Sequence, residues 1–473
     1  MRKDSDFLGE VELEDSVYYG VQTLRAMRNF AVSGTSHYDV DGYIQSIALV
    51  KKAAAIANFR CGALSEEVCS AICKAADEII AGGLSENFPI DAFQGGGGTS
   101  TNMNANEVIA CRANEILTGA KGYERVHPND HVNMGQSTND VIPAALKIAA
   151  RGYLQNLLAA LAGLEKSFAA LQNKYQNAIR LGRTCLQDAV PMSFGQYFSG
   201  YVSFTKRAQA RARNLMDSCL ELPLGATAVG TSLSVKEGYL DAVYTALGEI
   251  TGAKFKREEN FFDGLQNADI YVEISAFFKS VAVFLSKVAT DFRILSSGPR
   301  AGINELVLPS VQPGSSIMPG KVNPVIPELV NQIAYQVCGN DVVIGMSVEG
   351  GELDLNVWEP VIIKNLSESQ KLLKNGIAIF CEKCIDGVLI NEERCKEFAA
   401  NSTALSTIIS SICGYKTATK IARHAYEKGV SVKTAAMELG VLNQAQADEI
   451  LDPFAMTDPA LSDAIVKKFK GKI

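Results

Sequence analysis

The sequence predicts a mainly α-helical fold with a long central helical bundle. The segment "VIPAALKIAARGYLQNLLAALAGLEKSFAALQNKYQ", which starts at Val141, is rich in alanine and leucine and repeats its leucines at helical spacing. Several further segments approach or exceed about 25 residues, a length typical of helices in an extended bundle. These further helical segments lie near residues 193–220, 234–251, 267–297, 325–347 and 360–380.

Length and texture predict three domains. A chain of 473 residues exceeds what one ordinary hydrophobic core holds. Residues 1–139 mix short polar and apolar segments, residues 140–393 carry the long helical patterns, and residues 394–473 show shorter helical patterns with polar connections. We therefore expect an N-terminal mixed domain, a central long-helix bundle and a small C-terminal helical domain.

Charge and hydropathy argue against several classes of partner. The net charge of -7 disfavours a nucleic acid or an anionic membrane surface as a partner. The most apolar segment begins at Ile270, but Glu273, Lys279 and Lys287 interrupt it, which predicts a buried helix rather than a membrane span. The N-terminus shows no apolar signal region, and eleven scattered cysteines fit a reducing cytoplasm.

The cysteine and histidine patterns do not predict a metal site or a cofactor. Cys381 and Cys384 form a lone C-x-x-C pair, and no second pair completes a zinc site. His127 and His131 stand four residues apart in "HPNDH", but Pro128 argues against one helix that runs through both. Only four histidines occur in the chain, so a histidine-rich site is excluded.

Four polar blocks interrupt the helical pattern. They are "GGGGTSTNMNANEV" from Gly95, "HPNDHVNMGQSTND" from His127, "GRTCLQDAVPM" from Gly182 and "GSSIMPGKVNP" from Gly314. Each concentrates Ser, Thr, Asn and Gly beside a long helix, and such residues fit helix N-termini, where free backbone N–H groups attract anions. Simple capping explains any one block, whereas four blocks together favour one composite anion site.

The fourth block has the composition of a phosphate loop but not its spacing. Five residues separate Gly314 from Gly320 where the phosphate-binding pattern needs four, and Val322 follows Lys321 where that pattern needs Ser or Thr. The block therefore serves another kind of anion.

The four blocks, in this order, resemble the conserved blocks of the fumarase/aspartase superfamily. "GSSIMPGKVNP" is similar to its signature, and the resemblance runs from "GEVELEDSVYYGVQTLRA" near the N-terminus to the C-terminal domain. The continuation "VIPE", which ends at Glu328, and the runs "LQDAVPM" and "LNVWEP" are similar to the aspartase branch. The resemblance implies a three-domain fold of that type and the reversible elimination of ammonia from L-aspartate to give fumarate, without a cofactor.

The resemblance also implies a role for each polar residue. The reaction removes a proton from Cβ, and the adjacent carboxylate takes up a second negative charge as an aci-carboxylate, so the site needs fixed donors aimed at that charge. Ser315 is implied as the general base, Asn139 faces the amino group, and Glu328 supports the site from behind. The implied carboxylate-binding residues are Lys321, Asn323 and Thr184 for the α-carboxylate and Thr99, Ser137, Thr138 and Ser316 for the β-carboxylate.

The family resemblance implies a homotetramer in which three subunits contribute to each of four active sites. Two alternatives stay open at this stage. One is a class II fumarase-type hydratase or a related amino-acid lyase, and the other is a non-catalytic, crystallin-like structural protein. An assay with aspartate and then with malate separates the ammonia-lyase from the hydratase, and a lack of turnover on any succinyl-type substrate would support the structural protein.

One residue departs from the pattern of many relatives. Their third block reads Gly-Arg-Thr-His, whereas this chain has "GRTC", with Cys185 in the place of the histidine near the substrate amino group. Two interpretations of Cys185 are open, a small buried neutral filler or a partly ionised thiol whose pKa is lowered by Arg183 or Lys321.

Overall fold

The computed structural model describes residues 1–473, and helices make up most of it. In the first half of the chain the helices are α1 (Val21–Asn29), α2 (Tyr43–Arg60), α3 (Glu66–Ile80), α4 (Thr99–Thr118), α5 (Thr138–Lys174), α6 (Phe194–Ser218) and α7 (Tyr239–Thr251). In the second half they are α8 (Phe261–Gln266), α9 (Asp269–Leu295), α10 (Val325–Glu349), α11 (Glu359–Lys383), α12 (Glu392–Asn401), α13 (Ser406–Cys413), α14 (Tyr415–Lys428), α15 (Val432–Glu438), α16 (Gln444–Ile450) and α17 (Pro459–Phe469).

The strands form four two-stranded sheets. Three are antiparallel, β1 (Arg2–Asp6) with β2 (Gly9–Leu13), β3 (Ile179–Thr184) with β4 (Gln187–Ser193), and β7 (Leu306–Val307) with β8 (Leu389–Ile390). The fourth pairs β5 (Glu221–Leu222) and β6 (Lys256–Arg257) in parallel. No helix combines the length and the apolar character that crossing a bilayer requires.

The predicted long helices are confirmed. The predicted and observed boundaries differ most at α7, which begins at Tyr239 rather than near residue 234. The helix begins there because Gly238, directly before it, adopts a left-handed conformation (φ 80°). In α5 the repeated leucines form the buried stripe that the spacing predicts. Leu154, Leu157, Leu161 and Leu164 are fully buried, and each such side chain contributes about 1.5–3 kcal/mol by leaving water.

The chain forms two compact units. Unit 1 comprises residues 1–159, 210–283 and 333–375, and unit 2 comprises residues 160–209, 284–332 and 376–473. The five longest helices each contribute residues to both units. This grouping does not test the division into residues 1–139, 140–393 and 394–473, which stays a prediction.

Within unit 2, the last helices have a hydrophobic core of their own. It is built from buried side chains that run from Leu405, just before α13, to Phe469 in α17. The amphipathic pattern of α14 shows how this core forms, since Ala418, Ile421 and Ala425 recur at helical spacing and are buried.

Candidate active site

In unit 1, Thr99 is the first residue of α4. The three glycines before it all have positive φ, and Gly98, at 84°, lies so close to Ile142 that an added Cβ would come within 3.1 Å of that side chain. A left-handed conformation and a close approach both require glycine here. The run "GGGGTST" therefore ends by presenting the exposed Thr99 at a helix N-terminus.

The second group of predicted residues begins α5. Ser137 precedes the helix and Thr138 is its first residue. The buried Asp140 carboxylate accepts hydrogen bonds from the backbone N–H groups of Ser137 (2.9 Å), Gly225 (2.9 Å) and Thr227 (3.0 Å). Burial raises the pKa of Asp140 to about 6, although these N–H donors oppose the shift.

Asp140 is a structural residue that the sequence reasoning missed. It ties the Ser137 turn to the loop at residues 225–227 and so fixes the start of α5. A signal was present, since Ser137 and Asp140 have the spacing of a capping box, in which an acidic side chain reaches back to the first turn.

Two further polar side chains are fixed at the start of α5. The Asn139 amide donates to the carbonyl of Ala228 at 2.7 Å, so its Nδ2 is engaged and its Oδ1 is left for an amino group. Thr138 Oγ1 accepts a hydrogen bond from Asn102 Nδ2 at 3.1 Å. We call Thr99, Ser137, Thr138 and Asn139 the N-terminal cluster.

A buried lysine lies behind the N-terminal cluster. Lys51, on α2, is fully buried and donates to Asn133 Oδ1 at 2.9 Å and to Gln136 Oε1 at 3.0 Å. Burial lowers the pKa of Lys51 to about 7, and the charge of Asp140 opposes this shift. The only sequence signal for this lysine is weak, namely its place in the apolar run "ALVKKAAAIAN" of α2.

In unit 2, the block "GRTCLQDAVPM" forms the hairpin of β3 and β4 rather than a helix N-terminus. Its register pairs Thr184 with Gln187, so the tip consists of Cys185 (φ 51°) and Leu186 (φ 58°). Positive φ at both positions defines the tight two-residue turn whose twist matches that of the strands. The expectation of a helix N-terminus was wrong for this block because the turn lets the chain pair with itself.

The hairpin exposes Thr184 and Cys185. Cys185 is exposed in the single chain, since a hairpin tip carries its side chains into solvent, and its role beside the substrate stays a prediction. Arg183 anchors the hairpin through two contacts of 2.9 Å with the buried Glu305 carboxylate. Arg183 Nη1 donates one charge-assisted hydrogen bond to Glu305 Oε2, and this bond holds the end of β3 in place.

The stretch from Gly314 to Pro324, which we call the signature loop, precedes α10. Its ends are joined, since Gly314 N donates to the Lys321 carbonyl at 2.7 Å and Asn323 Nδ2 donates to the Gly314 carbonyl at 2.9 Å. An added Cβ on Gly314 would lie 2.6 Å from the backbone nitrogen of Asn323, so this crossing needs glycine. The loop is otherwise open, and Ser316 and Lys321 are exposed.

Ser315 has a distinctive environment in the signature loop. Its Oγ accepts hydrogen bonds from the backbone N–H groups of Ile317 at 3.2 Å and Met318 at 3.0 Å. Two convergent N–H dipoles form a small concave site that stabilises negative charge on the oxygen. Glu328 follows in the first turn of α10, where the helix terminus favours a carboxylate.

The pair His127 and His131 serves a local turn. Pro128 begins a short π-helical turn, and His131 Nδ1 accepts from the backbone N–H of His127 at 2.8 Å. His127 Nδ1 in turn accepts from the backbone N–H groups of Asn129 and Asp130, both at 3.3 Å. Both Nδ1 atoms are thus engaged by the backbone.

The predicted residues fall into two groups. The N-terminal cluster belongs to unit 1, whereas the hairpin tip, the signature loop and Glu328 belong to unit 2. Within unit 1 the structure links Thr138 to Asn102 and Asn139 to the loop at residue 228. Within unit 2 it joins both ends of the signature loop around Ser315.

The chain matches two protein-family models. The model described as "Lyase" covers residues 9–339, and the model described as "Fumarase C C-terminus" covers residues 403–458. An aspartate ammonia-lyase of Bacillus sp is 44% identical over 464 residues, which cover 98% of each chain. An aspartate ammonia-lyase of Helicobacter pylori (strain ATCC 700392 / 26695) is 44% identical over 97% of this chain and 98% of its own length.

Solved structures give the same result for the fold. The chain superposes with a TM-score of 0.94 on a protein described as fumarate lyase:delta crystallin from Brucella melitensis bound to cobalt, with 43% identity over 97% of this chain and all of that one. It superposes equally well, at 0.94, on a class II fumarase from Schistosoma mansoni, with 36% identity over 97% and 99% of the two chains.

Proposed function

This chain belongs to the lyase family of fumarases and aspartases, and on that premise we propose that it is an aspartate ammonia-lyase, which converts L-aspartate reversibly to fumarate and ammonia. The full-length identity to aspartate ammonia-lyases supports this substrate, since it exceeds the 36% identity to the class II fumarase. The observation that carries the mechanism is the pair of backbone N–H groups that converge on Ser315 Oγ.

Ser315 acts as the general base in this proposal. A serine hydroxyl is normally far from ionised at neutral pH and is therefore a poor base. The N–H groups of Ile317 and Met318 stabilise the alkoxide more than the neutral hydroxyl, because a hydrogen bond to a charged acceptor is roughly twice as strong. The alkoxide takes the Cβ proton of aspartate, and Cβ becomes carbanionic.

The remaining residues bind the charge that proton removal creates. The negative charge on Cβ delocalises into the β-carboxylate, which becomes an aci-carboxylate with a second negative charge. Fixed donors lower the energy of that state because they need no reorganisation when the charge develops. The donors assigned to the β-carboxylate are Thr99, Ser137, Thr138 and Ser316.

The other end of the substrate is held by the signature loop and the hairpin. Lys321 and Asn323, with Thr184, bind the α-carboxylate, and a lysine there supplies a charge-assisted hydrogen bond. Asn139 Oδ1 accepts a hydrogen bond from the substrate amino group, because Asn139 Nδ2 already donates to the Ala228 carbonyl. Expulsion of ammonia from Cα then completes the double bond of fumarate.

The signature loop also excludes water from the reaction. Ile317 is 83% exposed and Met318 is 49% exposed, so the loop presents apolar side chains beside its base. When the loop closes over substrate, these side chains lower the local dielectric and strengthen every charge interaction in the site. Gly320, with φ at 83°, provides a conformation for this motion that other residues resist.

The active protein is proposed to be a cytoplasmic homotetramer with shared active sites. Supporting this, α10 carries a row of exposed apolar side chains, Tyr335, Val342 and Met346, each at least 60% exposed. Such a surface is unusual on a monomer and typical of a subunit interface. Eleven free cysteines agree with a reducing compartment.

Two measurements test the proposal. The first follows fumarate formation by ultraviolet absorbance with L-aspartate and, separately, with L-malate. Turnover of aspartate but not malate is expected, whereas turnover of malate alone would identify a hydratase. A lack of turnover on any succinyl-type substrate would support a structural protein. The second is light scattering after size exclusion, which should give about four chains per particle, and an active monomer would contradict the shared-site arrangement.

A further inference from the structure

A chain of hydrogen bonds joins the buried Lys51 to the hydroxyl of Thr138. We propose that Lys51 is a positioning residue that fixes the direction of these bonds, so that Thr138 presents its hydroxyl hydrogen to the substrate carboxylate. This inference rests on the proposed function, which makes Thr138 a β-carboxylate ligand. It concerns three residues behind Thr138, namely Lys51, Asn133 and Asn102, to which the proposed function assigns no contact with the substrate.

The direction is set at Lys51. A lysine ammonium has donors and no acceptor. Its two neighbours in the structure are amide oxygens, Asn133 Oδ1 at 2.9 Å and Gln136 Oε1 at 3.0 Å. As the ammonium, Lys51 carries three hydrogens, enough to donate to both. Because Lys51 is fully buried, water does not substitute for it.

The next link is the Asn133 amide. Its Oδ1 accepts from three donors, Lys51 Nζ, Asn106 Nδ2 at 3.1 Å and Asn102 Nδ2 at 3.2 Å. Its own Nδ2 donates to the Gln136 carbonyl at 3.2 Å. A flipped Asn133 would turn its N–H group toward these three donors. Lys51, together with the Gln136 carbonyl that accepts from Nδ2, therefore fixes which atom of Asn133 faces Asn102.

The third link is the Asn102 amide. Its Nδ2 donates both to Asn133 Oδ1 and to Thr138 Oγ1, the latter at 3.1 Å. Its Oδ1 is buried without a hydrogen-bond partner. If the Asn102 amide flipped, its Oδ1 would face Asn133 Oδ1 and Thr138 Oγ1 in place of its Nδ2. The observed orientation of Asn102 therefore persists while Asn133 is held, although Asn102 Oδ1 stays without a partner. Asn102 must donate to Thr138.

The consequence appears at the Thr138 hydroxyl. A hydroxyl has one hydrogen, and since Oγ1 accepts from Asn102, that hydrogen points elsewhere. The chain offers it no acceptor. It is therefore a free donor beside Ser137 at the start of α5. An anion that binds there accepts a hydrogen bond from Thr138, and the direction of that bond is set by Lys51 at the other end of the relay.

A double-mutant cycle tests this inference. The probe is succinate, a dicarboxylate without the amino group, measured as a competitive inhibitor of aspartate turnover. Thr138→Val, which removes the hydroxyl, and Lys51→Met, which removes the fixed donor, should each raise the succinate inhibition constant roughly 10–100-fold, the effect of one lost hydrogen bond to a charged group. The double variant should bind no more weakly than Thr138→Val alone.

A second variant keeps the test independent of how well Lys51→Met folds. Asn102→Asp replaces the donor with an acceptor, which draws the Thr138 hydrogen away from the substrate. It should weaken succinate binding in the wild-type background and have no effect in the Thr138→Val background. The matched control is Lys52→Met, since Lys52 is the next residue on α2 and its Nζ pairs with Asp77. Its inhibition constant should stay within about twofold.

The outcomes separate the two hypotheses. Additive effects in an active enzyme, in both cycles, would overturn this inference and leave the proposed function in place. A purely structural role would lower the melting temperature without coupling to Thr138. A wild-type chain that neither turned over aspartate nor bound succinate would overturn the proposed function and this inference with it.

Discussion

The N-terminal cluster and the signature loop differ sharply in how they are held. Thr138 is buried, and the turn around it is fixed by bonds to two other segments, from Asn102 on α4 to Thr138 and from the loop at residues 225–227 to Asp140. The signature loop bonds chiefly to itself, and it exposes Ser316 and Lys321. One set of donors is preorganised and the other lies on a segment with few supporting contacts.

This difference assigns separate duties to the two regions. Preorganised donors suit the carboxylate that gains charge in the transition state, because they stabilise that charge without a cost of reorganisation. A segment with few buried contacts opens and closes at low free-energy cost and suits the delivery of a base and a lid. We therefore expect loss of the loop's base to act on the chemical step, loss of its lysine to act on substrate binding, and changes behind the cluster to act on binding and stability.

The largest expected effect is in the signature loop. Ser315→Ala removes the base and should lower kcat by about 10²–10⁴-fold, the range for a lost general acid–base group. Steady-state kinetics with aspartate measure it, and Ser310→Ala, at an exposed serine before the loop, is the control. Turnover near that of the wild type would show that Ser315 is not the base and that the signature loop does not act on the chemical step.

The next effect tests how rigidly the surroundings of the N-terminal cluster are packed. His37 is buried, and its Nδ1 lies 2.7 Å from Thr101 Oγ1 on α4. Burial lowers the pKa of His37 from 6.5 to about 4. The unfolded chain therefore binds more protons than the folded chain between these values, so the free energy of unfolding should fall as pH decreases through this window, by about 3 kcal/mol.

Denaturant unfolding at several pH values measures this effect, with His37→Gln as the comparison. Glutamine does not titrate, so the variant should lose that part of the pH dependence while the carboxylates of the chain contribute equally to both proteins. Identical slopes for the two proteins between pH 6.5 and about 4 would show that His37 protonates freely in the folded state.

A smaller effect belongs to the α-carboxylate. Lys321→Ala should raise KM for aspartate roughly 10–100-fold, because a charge-assisted hydrogen bond is lost. Val322→Ala perturbs the same exposed part of the loop without removing a charge and should leave KM nearly unchanged. Equal kinetics for both variants would place Lys321 outside the site.

The smallest effect is expected at the hairpin tip. Cys185→Ser should keep at least about a tenth of the activity, a change below about 1.4 kcal/mol in the barrier. The exposed thiol should also react with an alkylating reagent, more slowly when aspartate is bound. A loss beyond about a thousandfold would give the thiol an essential role, and a rate that does not respond to aspartate would separate Cys185 from the substrate.

Much of the fold was predictable from periodicity. The stripe of leucines in α5 repeats at helical spacing because one face of that helix is buried, and that rule needs no tertiary information. The hairpin at Cys185 was not predictable in this way, since neither Cys nor Leu is a usual residue at positive φ. Strand pairing depends on contacts between segments, and the composition of one segment does not predict those contacts.

The polar residues of the site divide along the same line. Ser315 and Thr138 lie in blocks whose composition is unusual enough to single them out. Lys51 lies in an apolar helix where a lysine is expected to face solvent, and Asn102 lies in the first polar block among neighbours of the same kind. Only the packing of α2 and α4 shows that both are buried. A hydrogen-bond relay depends on which atoms meet, and sequence spacing within one helix does not contain that information.

The tip of the hairpin has a consequence for how this protein would evolve under pressure for stability alone. Cys185 and Leu186 both hold a left-handed conformation, which costs a side chain with a Cβ about 1 kcal/mol or more at each position. Asn-Gly would adopt the same turn without that cost. A selection for heat resistance alone should therefore replace this pair early, and its persistence under selection for turnover would show that the strained pair serves the reaction.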